Sequence, residues 1–291
     1  MFTGVYTALV TPFNTAGNVD YDTLQQLVES QIAGHVDGLV PVGTTGESPT
    51  LEFDEHKKVI ERVVEFSKGH LKIIAGTGGN STAEAVELTQ HAKEVGAHGT
   101  LQITPYYNKP SREGLIQHFR TVAEIGLPVV LYNIPGRTGR ELSLDLVVEL
   151  AQDPNIVAIK EAAGDVDRVS QYVQACDLTV LSGDDALTLP MMVVGSVGVI
   201  SVVSNIAPQE VTDMVHHALK GRWEQAQRSH AQLYRLFTDL FIETNPVPVK
   251  AALAMVGKIE EIYRLPLCEM GREKKAVLKE AITDFGIKGI S

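Results

Sequence analysis

Short apolar runs alternate with longer amphipathic stretches along the whole chain. The runs are Gly4–Thr11, Gly38–Val42, Lys72–Ala75, Gly99–Thr104, Pro128–Tyr132, Ile156–Lys160, Leu178–Leu181 and Gly198–Val202. They are too short for core helices and read as buried strands. Between them lie Tyr21–Gly34, Asp54–Lys68, Thr82–Val95, Arg112–Ile125, Ser143–Gln152 and Val166–Cys176, which read as helices. Ser81-Thr82-Ala83-Glu84 resembles a capping box at the start of the third helix. Eight strand-then-helix units match the count and total length of a (β/α)8 TIM barrel, an α/β fold. A doubly wound open sheet is the rival, but it seldom needs eight units so evenly spaced. Beyond the eighth run, Gln209–Lys220, Trp223–Glu243, Pro248–Met255 and Arg272–Phe285 supply more helix than one barrel unit uses. The expected organisation is a barrel over residues 1–222 with a C-terminal helical region, 223–291, packed on it.

Composition narrows the class. The chain has 291 residues, 44% of them hydrophobic and 21% charged, as expected of a soluble protein with a sizeable core. A formal net charge of -11 argues against nucleic acid and anionic membranes as partners, since both repel an acidic surface. Leu189–Ala207 carries no charge, but Gly195, Ser196, Gly198, Ser201 and Ser204 interrupt it, with Pro190 and Pro208 near its ends. It reads as a helix end, a glycine turn and a buried strand. Met1-Phe2-Thr3-Gly4-Val5 lacks the basic start and cleavage site of a signal peptide. Cys176 and Cys268 stand in no CxxC pattern, so buried thiols and a cytoplasmic location are expected. The nine histidines form no HExxH or comparable cluster, and no metal site is expected.

The candidate chemistry centres on Ile156-Val157-Ala158-Ile159-Lys160-Glu161-Ala162. Strand alternation puts Ile156, Ala158 and Lys160 on one face and Val157 and Ile159 on the other. An ammonium buried at that strand end costs free energy unless it is paired or its pKa falls. A partly neutral lysine amine can attack a ketone to form a Schiff base. Read alone, the lysine is better explained as reaching back to solvent or pairing with Glu161; the rest of the chain reverses that.

In a barrel the chemistry gathers where strands end and the following loops begin. Those places hold Gly43-Thr44-Thr45-Gly46-Glu47, Gly76-Thr77-Gly78-Gly79-Asn80, Pro105-Tyr106-Tyr107-Asn108, Tyr132-Asn133-Ile134-Pro135-Gly136-Arg137-Thr138-Gly139, Lys160-Glu161, Ser182-Gly183-Asp184-Asp185 and Ile200-Ser201. Gly43–Gly46 is equally a tight turn in which glycine supplies positive φ. Gly76–Gly79 is a weak phosphate-cradle signal, and Tyr106-Tyr107 reads more readily as core or interface packing, as aromatics more often are. Arg137, after a strand-end tyrosine and between Gly136 and Gly139, favours anion binding.

In their order and spacing these motifs resemble the class I aldolase family of pyruvate-dependent lyases and synthases, over essentially the full chain. The resemblance implies that Lys160 forms the imine with pyruvate and that Tyr132 donates and accepts protons beside it. Thr44 and Tyr107 would complete a proton relay, with Tyr107 reaching across a subunit interface. Thr45, Ile200 and Gly183 would bind pyruvate, and Arg137 the carboxylate of a second substrate, L-aspartate 4-semialdehyde. No cofactor is implied beyond the covalent imine, and the expected assembly is a homotetramer of tight dimers. The sibling alternative is an N-acetylneuraminate lyase or a 2-keto-3-deoxy sugar acid aldolase, which generally lack an arginine at the position of Arg137. The alternative of another class is a catalytically silent barrel acting as a sensor or scaffold. Many members of the family are inhibited by lysine, and the corresponding pocket residues here are Ser48, Pro49, Phe53, His56, Asn80, Glu84 and Tyr106. The plainer reading makes His56 and Glu84 ordinary exposed helix residues.

Overall fold

The computed structural model describes residues 2–287; Met1 and 288–291, the last four residues of the expected C-terminal region, lie outside them. Eight parallel strands close into a barrel in sequence order: β1 (Gly4–Ala8), β2 (Gly38–Val40), β3 (Lys72–Gly76), β4 (Gly99–Ile103), β5 (Val129–Asn133), β6 (Ile156–Glu161), β7 (Thr179–Ser182) and β8 (Gly198–Ser201). Closure is made by β1 against β8, from Gly4↔Gly198 to Thr7↔Ser201. The outer layer comprises α1 (Tyr21–Ala33), α2 (Phe53–Ser67), α3 (Thr82–Glu94), α4 (Arg112–Ala123), the single turn α5 (Pro135–Thr138), α6 (Leu144–Leu150), α7 (Asp167–Ala175), α8 (Thr188–Val193) and α9 (Pro208–Leu219). After it come α10 (Trp223–Asp239), α11 (Val247–Met255) and α12 (Arg272–Phe285). The α/β barrel is therefore the observed fold. No helix among the described residues is long and apolar enough to cross a membrane.

The helices form where sequence supplies both a start and a buried stripe. Asp20 caps α1 by accepting from the Thr23 N–H at 3.0 Å, and Ser81 accepts from Glu84 N–H at 3.4 Å at the start of α3. On α2 the buried residues are His56, Val59, Ile60, Val63 and Ser67, one face at helical spacing. Burying each aliphatic side chain of such a stripe contributes roughly 1.5–3 kcal/mol.

Three local expectations are corrected. The β5–β6 register shifts between Val129↔Ile156 and Val130↔Ala158, so Val157 is the extra residue of a bulge. Ile156 accordingly packs with Ile159 and Leu131 in the helix-facing core and does not share the face of Ala158 and Lys160. The α10 helix stops at Asp239, short of Glu243, and the freed segment runs over the barrel mouth. Cys268 is exposed and Cys176 half-buried, so neither is the buried thiol expected: Cys268 lies in the loop between α11 and α12.

At the bottom of the barrel, Asp37 accepts from the Val5 N–H at 2.8 Å and faces His216 Nε2 at 2.9 Å. That bond to Asp37 is the main reason the His216 pKa is raised; partial burial and Lys220 oppose it, and Asp213 assists. A raised folded-state pKa gives stability that is present below the unfolded value and lost as pH climbs through the folded one. Between about pH 5.5 and pH 8, wild type should therefore lose more thermal stability than His216→Gln. Parallel melting curves would refute this coupling if the two proteins changed equally.

Candidate active site

The turn after β2 presents Thr44 and Thr45. It is a single 3-10 turn, Thr44–Gly46, and its positive φ values fall on Val42 (55°) and Glu47 (56°), not on the glycines. Gly46 is needed for close approach instead: a Cβ there would lie 3.2 Å from Leu9 O and Thr11 Oγ1. Glu47 anchors the turn from below. Its carboxylate is fully buried and accepts from Lys250 Nζ of α11 at 2.5 Å. The phosphate reading of Gly76–Gly79 fails for Gly76 and Gly78, whose N–H groups donate to Pro41 O and Leu101 O.

Above the strands, Thr44, Thr45, Tyr132, Arg137, Lys160 and Gly183 line one cavity of about 60 Å³. Lys160 is buried, 6% exposed, with its Nζ 4.1 Å from the Tyr132 ring centroid. Neither the solvent-reaching lysine nor a Lys160–Glu161 pair is present, because Glu161 faces away and binds Arg168 at 3.2 Å. Burial is the main force on the Lys160 amine and lowers its pKa to about 7; Asp185 pulls it up and Arg137 down. Burial likewise pushes the Tyr132 phenol up to about 12, against the Arg137 charge and a hydrogen bond with Thr44. A near-neutral amine thus stands beside a phenol that holds its proton.

The other expected site residues fall differently. Gly183 spends its N–H on Glu161 O at 2.7 Å, so that donor is not open to a substrate. Its lack of a side chain matters more, since a Cβ would sit 2.8 Å from Lys160 Cε. Ile200 is buried in the barrel core opposite Tyr6, while Val202 supplies the cavity wall beyond β8. Tyr107 is 91% exposed with φ of 71° and is not brought to this chain's cavity.

Two residues were not anticipated from sequence, and a third, Asp185, stood in a strand-end motif without a role of its own. Asn245, 7% exposed, donates from Nδ2 to Thr45 Oγ1 at 2.9 Å, and its carbonyl accepts from Arg137 Nη2 at 2.9 Å. Phe241 shares the same wall. Asp185 is buried and accepts from Ser201 Oγ at 2.5 Å and Val202 N–H at 2.9 Å; burial, only partly offset by these bonds, raises its pKa to about 6. The available signal for Asn245 was a polar residue beside Pro246, in the gap between an amphipathic helix and an apolar one.

A second, apolar cavity shares Gly43, Thr44, Leu101 and Tyr132 with the first, and shares Ser48, Pro49, Gly78 and Tyr106 with a third. This third cavity, of about 180 Å³, is also lined by Phe53, His56 and Glu84. Asn80 stands at its edge, donating to Tyr106 O at 3.3 Å. His56 is 5% exposed, which overturns its reading as an exposed helix residue; Glu84 is exposed. Burial lowers the His56 pKa to about 4, and its Nε2–H donates to Gly76 O at 2.7 Å, so the imidazole is neutral.

The chain matches the model of the dihydrodipicolinate synthetase family over residues 1–285. It belongs to that family. The 4-hydroxy-tetrahydrodipicolinate synthase of Aquifex aeolicus is 50% identical over 291 residues, covering 99% of each chain. The solved structure of the A. aeolicus dihydrodipicolinate synthase superposes with a TM-score of 0.97 at 49% identity, over 100% of each chain. A chloride-inhibited dihydrodipicolinate synthase from Acinetobacter baumannii, solved with pyruvate, gives a TM-score of 0.97 at 44% identity, covering 99% of this chain and 100% of that one. One from Cyanidioschyzon merolae, solved with lysine bound, gives 0.94 at 40% identity over 98% of each. The dihydrodipicolinate synthetase family thus extends over nearly the whole chain, α10–α12 included.

Proposed function

We propose that the chain condenses pyruvate with L-aspartate 4-semialdehyde to 4-hydroxy-tetrahydrodipicolinate, a lyase-class step in diaminopimelate and lysine biosynthesis. The observation that carries this reading is the buried Lys160 amine over the Tyr132 ring, in one cavity that Arg137 also lines. The A. aeolicus relative bears that activity in its name at 50% identity. Neutral Lys160 attacks C2 of pyruvate, and loss of water leaves the imine. The imine withdraws electrons, so a C3 proton departs and an enamine forms. That carbon attacks the aldehyde, and Tyr132 protonates the new alkoxide without placing a fixed charge beside the lysine. The adduct's own amino group then displaces Lys160, closing the ring. The imine is the electron sink, so the reaction calls for neither metal nor organic cofactor. Arg137 pairs with the aldehyde substrate's carboxylate in the two-pronged geometry of a guanidinium. A sugar-acid aldolase has no use for that group, and a silent barrel has none for Lys160 and Tyr132.

The test is coupled turnover with aspartate semialdehyde in parallel with a sialic acid. Turnover of the semialdehyde alone is expected; cleavage of the sialic acid alone would assign the chain to a sibling activity.

The exposed Tyr107 completes the relay of a neighbouring subunit in a homotetramer of tight dimers working in the cytoplasm. Lysine is the inhibitor, held in the 180 Å³ cavity with Glu84 on its α-ammonium and Asn80 and Tyr106 near its carboxylate. Neutral His56 leaves the end that receives the side-chain ammonium free of an opposing imidazolium. Lysine at about 1 mM or less should inhibit, and Glu84→Thr should weaken inhibition about five- to tenfold without altering the uninhibited rate. An initial-rate series flat to roughly 10 mM lysine would remove the effector role.

A further inference from the structure

Glu161 follows Lys160 directly, and its side chain, fully buried, occupies the helix-facing side of β6. Four groups donate to the one carboxylate. Ala163 N–H reaches Oε1 at 2.7 Å, and Asn133 Nδ2 lies 3.1 and 2.9 Å from the two oxygens. Arg168 Nε and Tyr172 OH, both from α7, reach Oε2 at 3.2 and 2.8 Å. Asn133 is the residue after Tyr132, and its Oδ1 accepts from Leu142 N–H at 3.0 Å. Leu142 is held at its other end too, its carbonyl accepting from Arg168 Nη2 at 2.5 Å. Arg168 also pairs with Glu141. Leu142 ends the loop that leads away from Arg137.

We propose that Glu161 is a positioning residue for the reaction at Lys160, one buried carboxylate that ties together the three segments carrying Tyr132, Lys160 and Arg137. The inference rests on the imine reading of Lys160. A buried ion pair is a poor stabiliser beside well-packed apolar residues of the same volume, because both charges must leave water. What four convergent donors supply is orientation. Lys160 and Tyr132 project inward from paired positions of adjacent strands, Tyr132↔Lys160, while Asn133↔Glu161, the next pair, projects outward and is cross-linked by side chains. A rotation of either strand end that would separate amine from phenol must break the Asn133–Glu161 bonds.

The experiment measures borohydride-trapped pyruvate imine per folded protein, kcat and KM for both substrates, and the melting temperature. Glu161→Gln turns an amide donor toward the donors of Asn133 and Arg168, and should slow imine formation and kcat about 10- to 100-fold. Tyr172→Phe keeps the ring and removes one donor; about a three- to tenfold loss is expected. The double variant Asn133→Asp with Glu161→Gln restores the donor–acceptor match between the strands, and should recover imine formation to within about threefold of wild type. A merely structural role would lower the melting temperature and leave trapping per folded molecule unchanged. Wild-type trapping rates in Glu161→Gln, or in Tyr172→Phe where Glu161→Gln does not fold, overturn the proposal, as does a double variant no faster than Glu161→Gln. A wild-type protein that traps no pyruvate overturns the imine reading itself, and this inference with it.

Discussion

Lys160→Ala is expected to leave no pyruvate adduct after borohydride reduction, and to lower turnover by at least about 10⁴-fold, because the covalent step has no other nucleophile. Among the described residues the only other buried lysine, Lys250, is bound to the Glu47 carboxylate at 2.5 Å and lies outside the cavity. In wild type the trapping rate should rise with pH through about 7, the value to which burial lowers the Lys160 amine. The sign follows from the attacking species: below that pH the ammonium dominates and has no lone pair. Intact-mass measurement across pH checks both parts, and a full-yield adduct on the Lys160→Ala protein would refute the assignment.

Arg137→Ala should separate the two substrates. Pyruvate imine formation survives, since burial, the main force on the Lys160 amine, and the Tyr132 ring beside it remain, whereas turnover with aspartate semialdehyde falls about 10²- to 10³-fold with the loss of a charge-assisted, two-pronged contact. Arg137→Lys should lie between, because an ammonium keeps the charge and loses the fork. Near-normal turnover in Arg137→Ala would move carboxylate recognition to another residue. The bond from Arg137 to the Asn245 carbonyl fixes where the guanidinium points, so the loss should appear in kcat as well as in KM.

Much of the barrel was legible from hydrophobic runs because strand length and spacing are local properties. All eight predicted strands overlap observed ones, and Lys160 falls at the end of β6 as its pattern required. The face of Ile156 was not legible, since a bulge at Val157 depends on how β5 pairs with it. Nor was the backbone of Gly43–Gly46: strain went to Val42 and Glu47, whose side chains are held by tertiary contacts. Asn245 escaped for the same reason. Its partner Thr45 lies 200 positions away, and no periodicity links two residues at that distance. Asp185 was visible as part of a motif, but its role as acceptor for Ser201 and the start of the Val202 segment appears only once β7 and β8 are side by side.

Glu47 and Lys250 are both fully buried and 203 positions apart, and that separation has a bearing on how the protein is made. A nascent chain extended only through the eighth strand has all eight walls of the barrel but no counter-ion for Glu47. Its threonine turn would have to keep a carboxylate in contact with water, at the place where the finished protein is dry. Thr45 and Arg137 would be missing the Asn245 side chain and carbonyl as well. The site is therefore assembled only after the segment that carries Asn245 and Lys250 has followed the eighth strand out of the ribosome, and the reactive lysine becomes an enclosed amine no earlier than that.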